Sequence, residues 1–160
     1  MRTLTVFTTS LLLCACASAP VSLEGTDRSL QPGQVLDSFA TVRGNRVAWG
    51  GVIVATDNQA EHTRIEVLAY PLDDRTARPQ TEGDAQGRFV VHRAGYLEPV
   101  DYAPGRILTV TGTLEEIEAG TVGEADYRYP VVRAEELHLW KPRDNQSGSF
   151  NFGFGILISN

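Results

Sequence analysis

From Arg46 onward the chain repeats one pattern, short apolar runs rich in β-branched residues separated by turn-forming clusters. The first run, 46–56, places Val47, Ala48, Trp49, Val52, Ile53 and Val54 on both faces of an extended segment. Both faces must then be covered, as in a barrel or sandwich. Gly50 and Gly51 at its centre predict a sharp bend or bulge. The second run, 63–72, alternates cleanly: Ile65, Val67 and Ala69 on one face, Arg64 and Glu66 on the other. Runs at 87–93, 106–117 and 127–140 predict three more strands, the last interrupted near Pro130. Residues 73–86 and 94–105, with Pro79, Gly83, Pro99 and Pro104, read as connections. So does the Gly-rich stretch 119–125.

Ahead of the first strand the period changes. Val35, Leu36 and Phe39 share a helical face, with Pro32 acceptable in a first turn and Gly44 as a stop. The spacing predicts one short helix over 32–41. The whole is therefore mostly β, with a meander of three strands, a long connection and a hairpin-like pair. That order fits a small five-stranded OB-like barrel, and an open sandwich fits nearly as well. The tail differs: Phe150, Phe152, Phe154, Ile156 and Ile158 recur at period two among Gly and Asn. It predicts a C-terminal Phe/Gly-rich strand that covers the core or an edge or meets a membrane or partner, with a mobile tail as the remaining alternative.

Composition narrows the function classes. The chain has 160 residues, with 14 Lys plus Arg against 20 Asp plus Glu, a net charge of −6. So acidic a chain has no general attraction for phosphate backbones, and no nucleic-acid partner is expected. Both cysteines lie in the first sixteen residues, which excludes a disulfide framework and a Cys-based zinc site.

Those sixteen residues read as an address. Arg2 is followed by the apolar run 4–13, too short for the ~20 residues that span a bilayer. Leu13-Cys14-Ala15-Cys16 resembles the lipobox of bacterial lipoproteins. The resemblance implies cleavage after Ala15 and lipidation of Cys16. A modified Cys14 would instead put Leu13 where a small residue belongs. Ala17 follows Cys16 where an inner-membrane protein would carry Asp, which by the same family rule implies a lipid anchor in the outer membrane of a Gram-negative cell. The expected organisation is a signal peptide at 1–15, a lipidated Cys and tether at 16–28, a β domain at 29–142 and the tail at 143–160.

A wider resemblance covers the strands. It rests on Val47-Ala48-Trp49-Gly50-Gly51-Val52-Ile53, Glu66-Val67-Leu68-Ala69-Tyr70-Pro71-Leu72 and Gln86-Gly87-Arg88-Phe89. To these add Tyr102-Ala103-Pro104-Gly105-Arg106, Val110-Thr111-Gly112, the block from Gly123 to Val132, and Leu137-His138-Leu139-Trp140. The stretch 47–140 is similar to the Slp family of outer-membrane lipoproteins, the starvation-inducible group. The resemblance implies an envelope lipoprotein associated with stress, a non-catalytic structural or protective role, and no established catalytic residues.

The residues themselves announce no reaction. No Ser sits in a GxSxG elbow, and Cys16 is committed to lipid. Neighbouring carboxylates at Asp73-Asp74, Glu115-Glu116 and Glu135-Glu136 point to opposite faces of a strand, so they make no dyad. His62, His92 and His138 are far apart in sequence and read as scattered surface or rim side chains. No enzyme, cofactor or metal site is expected. The aromatic side chains remain, and an OB face uses such rings to stack ligands. Trp49, Tyr102 and Tyr129 are the candidate ligand face. They carry the alternative reading, a periplasmic binding module for a small ligand, a glycan or an envelope protein.

Overall fold

In a computed structural model, which describes residues 19–142, one helix precedes five strands. The helix α1 spans Val35–Val42. The strands are β1 (Arg46–Asn58), β2 (His62–Ala69), β3 (Arg88–Ala94), β4 (Ile107–Val122) and β5 (Ala125–Leu139). They close into a barrel in the order β1-β2-β3-β5-β4, with β4 pairing back onto β1. All pairs are antiparallel except β3 with β5. The OB-like barrel, rather than the open sandwich, is therefore the observed form. The signal peptide with Ala15 and Cys16, and the Phe/Gly-rich tail, lie outside the described residues.

Period-two alternation fills the interior. Val47, Trp49 and Ile53 of β1 meet Ile65 and Val67 of β2, Phe89 and Val91 of β3, Leu108 and Val110 of β4, and Val132 of β5. Phe89 is fully buried and meets Trp49 edge-on, with ring centroids 5.2 Å apart at 69°. Each such side chain contributes about 1.5–3 kcal/mol on leaving water.

Both ends of the barrel are covered. At the end where β1 begins, Val35, Phe39 and Val42 of α1 pack on the core from one helical face. The helix starts three residues later than the spacing predicted, because 31–34 form a tighter turn in which Gln34 and Val35 both donate to the Gln31 carbonyl. Gly44 lies just past its end at φ +88°, a conformation that suits glycine, and donates to the Leu114 carbonyl at 2.8 Å. At the other end the 95–106 connection crosses the mouth, as an OB-type order requires. Thr56 Oγ1 donates to the Tyr102 carbonyl, and Asn58 Nδ2 to the Leu97 carbonyl.

The structure relocates three features. Gly50 and Gly51 do not mark the bulge of β1. The extra residue is Val54, between the Ile53 and Ala55 pairings. Gly51 is instead needed for close approach: a Cβ there would lie 1.9 Å from the Leu68 carbonyl oxygen. The expected Gly-rich loop 119–125 is almost wholly strand. β4 and β5 continue their ladder to Val122 and Ala125 and turn at Gly123, where φ is +61°. β5 also runs unbroken through Pro130, which pairs with Ile117 of β4, while the β3 pairing starts only at Val131. The missing N–H of proline therefore costs no ladder bond to β3.

This lengthened hairpin is an arm. A bulge at Glu115 lets β4 bend away from the barrel, and the arm lies over the outer face of β2 and β3. There Val90, Tyr129 and Val131 form a second small core, flanked by Val122 and Tyr127. The segment 21–28 also sits on the barrel. Val21 is buried, the Ser22 N–H donates to Glu136 at 2.7 Å, and the Asp27 N–H donates to the Arg46 carbonyl at 2.7 Å.

Candidate functional site

The three rings proposed as a ligand face occupy three different places. Trp49 is in the main core, with its indole N–H donating to the Leu30 carbonyl at 2.8 Å. Tyr102 is half-buried at the opposite end of β1, in the connection across the mouth. Tyr129 is buried under the arm, 1% exposed, with its hydroxyl 2.9 Å from the Thr121 carbonyl. Burial, reinforced by the negative charge of Glu66, pushes its phenol pKa above the usual value. These rings pack the protein and do not converge.

The outer β2–β3 face, where an OB barrel receives strands and sugars, is occupied by the arm. Arg64 bridges Glu118 at 2.8 Å and lies over the Tyr129 ring at 5.7 Å. Arg88 pairs with Glu66 at 2.6 Å, and its N–H donates to the Tyr127 hydroxyl at 3.0 Å. Polar and apolar contacts together lock the chain onto its own surface.

Two histidines meet at this seam, which the sequence reading did not foresee. The β2–β3 register pairs Arg64 with His92, so His62 falls on the diagonal beside it. The rings are 4.2 Å apart, and His92 Nε2 is 3.6 Å from Glu118. Burial and the neighbouring His62 outweigh Glu118, Glu116 and Glu115 and hold His92 below its ordinary pKa. His62 Nε2 is buried without a hydrogen-bond partner among the described residues. His138 is apart, against Trp140. Among the described residues no three His, Cys, Asp or Glu side chains are grouped to hold a metal ion.

A cleft of about 330 Å³ opens elsewhere, between the strap 28–32 and the first part of the β2–β3 connection. Its floor is Ala48, Trp49, Gly50 and Ala69. Its walls carry Leu30, Pro32, Tyr70, Pro71 and Leu72, with Gln31 and Gln86 among them. The Gly33 N–H donates to the Gln86 carbonyl at 2.9 Å and ties the two walls together. At the rim Arg28 and Asp74 form a 2.6 Å ion pair. Farther along, the same connection is pinned by a relay in which the Trp140 indole donates to Thr109 Oγ1 and Thr109 donates to the Ala77 carbonyl. A sequence signal for this cleft existed in Tyr70-Pro71-Leu72, whose apolar run outlasts the strand.

Fold and site together define a small closed β-barrel domain with a self-covered OB face and a cleft on another side. A family model described as the outer membrane lipoprotein Slp family matches residues 13–154. The chain belongs to that family of lipid-anchored outer-membrane lipoproteins. It is 34% identical to an uncharacterised protein of Haemophilus influenzae, across 94% of this chain and 87% of that one. It is 28% identical to the outer membrane protein Slp of Escherichia coli, across 94% and 82% respectively. It is 30% identical to the uncharacterised lipoprotein YeaY of the same organism, across 83% and 69%.

Proposed function

We propose that this chain is anchored through a lipidated Cys16, after cleavage behind Ala15, and serves a non-catalytic structural or protective role in the envelope under stress or in stationary phase. The observation that carries this reading is the arm. Arg64, Glu66, Arg88, Val90 and His92 form the surface on which an OB barrel would take a ligand, and all are engaged by the protein's own β4–β5 hairpin. Such a domain is built to be sturdy rather than open. Two or three acyl chains at Cys16 would hold it firmly, since each buried CH₂ contributes about 0.8 kcal/mol.

The test is fractionation. Cys16→Ser moves the protein from the membrane to the soluble fraction, and Cys14→Ser leaves it on the membrane. A Cys16→Ser protein that stays membrane-bound refutes the anchor and turns attention to the Phe-rich tail. For the protective role, a strain lacking the protein loses survival in prolonged stationary phase, and only the anchored form restores it. A second reading, a periplasmic binding module, is favoured by the cleft floored by Trp49.

A further inference from the structure

We infer that the cleft between the 28–32 strap and the β2–β3 connection is a binding site for an uncharged sugar. The inference rests on the binding-module reading and names its ligand class.

The argument starts from what the cleft offers. Gln31, Gln86 and Tyr70 are among its lining residues, and their side chains make no hydrogen bond to another described residue. Each amide presents a donor and an acceptor, and the phenol presents both on one atom. Vicinal sugar hydroxyls require that mixture, since each hydroxyl both gives and takes. A phosphate or carboxylate would require unmatched cations instead. Among the described lining residues the one cation, Arg28, is already paired with Asp74 at 2.6 Å. The ligand is therefore uncharged and rich in hydroxyl groups.

The floor supplies the other half. Ala48, Trp49 and Ala69 are buried beneath the opening, and Leu30, Pro32 and Leu72 flank it. An apolar bed between amide walls fits a pyranose, which has C–H faces and a hydroxylated rim. A volume of about 330 Å³ is at the lower end for ligand sites, which suits a mono- or disaccharide rather than a long strand lying flat. The site is braced: Gly33 to Gln86 closes one side, and the Trp49 indole to Leu30 holds the strap to the barrel.

The test uses the mature lipoprotein, ¹⁵N-labelled, in micelles of a sugar-free detergent. Glucose, N-acetylglucosamine and the β1,4-linked disaccharide of each are titrated. The Trp49 indole N–H and the Gln31 and Gln86 side-chain amides are expected to shift together and to saturate near or below about 1 mM. Gln86→Ala and Tyr70→Phe are each expected to weaken binding about tenfold, the loss of one hydrogen bond. Tyr129→Phe, under the arm, leaves it unchanged. Both cleft residues are only partly buried, and the melting midpoint of each variant confirms that it folds.

Binding of a disaccharide much more tightly than its monosaccharide points to the end of a glycan strand. Equal binding points to a free sugar, and both outcomes support the inference. It is overturned if no sugar gives a saturable shift, or if the shift survives both substitutions. Shifts of the same resonances by an apolar peptide, with none from sugars, would overturn the sugar and keep the binding module.

Discussion

Replacing Tyr129 by Ala separates the arm from the barrel. The ring is 1% exposed and sits between Val90, Val131 and Tyr127, with the Tyr127 ring 4.7 Å away. Large aromatic truncations in a core cost about 3–5 kcal/mol, from lost transfer and the cavity left behind. The Tyr127 pair and the Arg64 guanidinium over the ring each stand to add about 0.5–1 kcal/mol within that range. The hydroxyl's bond to Thr121 contributes about 1 kcal/mol, which Tyr129→Phe alone removes. A domain of this size has about 5–15 kcal/mol in all. The loss falls on the arm's own small core, while the contacts of the main core are left intact. Native-state hydrogen exchange distinguishes the two cases. In Tyr129→Ala the amides of 116–130 exchange faster, while those of 47–53 and 65–69 keep their protection. Uniform acceleration across all five strands would show that arm and barrel are one cooperative unit and would refute the two-core account.

Other outcomes follow from the same geometry. Gly51→Ala forces a methyl group onto the Leu68 carbonyl of the neighbouring strand, and it should cost about 3 kcal/mol or more, read as a fall in denaturant midpoint at unchanged slope. Phe89→Ala empties the centre of the main core and should cost about 3–5 kcal/mol, with loss of protection in β1 to β3 together. Acidification should destabilise the protein through His92. Its folded pKa lies below the ordinary 6.5, so the folded state binds the proton less well than the unfolded chain. Stability from this group is complete above about 6.5 and is lost as pH falls from there through the folded pKa. His92→Gln should flatten that limb of a melting-temperature profile, and an unchanged limb would assign it to other groups.

Much of this was legible in the sequence. Alternation in 63–69 and the two-sided apolarity of 47–54 gave strands with the right inward faces, because burial on a barrel is a period-two property. Five strands and a long third connection gave the barrel order. What escaped was long-range. His62 and His92 are thirty residues apart, and only the β2–β3 register makes them neighbours. The arm escaped because Gly120 and Gly123 read as loop, whereas Gly120 leaves room for the Tyr129 ring, 3.0 Å from where a Cβ would stand. For the same reason Tyr129, a candidate ligand-face ring in sequence, is a core residue of the arm in space. The cleft escaped because its walls come from segments on either side of β1 and β2 that no local pattern relates.

The seating of residues 21–27 on the barrel has a consequence for where the domain can go. On the proposed anchor at Cys16, five peptide steps would separate the lipid from buried Val21. At full stretch they reach no more than about 18 Å. On that proposal the barrel would be a short-leashed body held close to the leaflet that carries it. Whatever it met would then have to come to the bilayer surface.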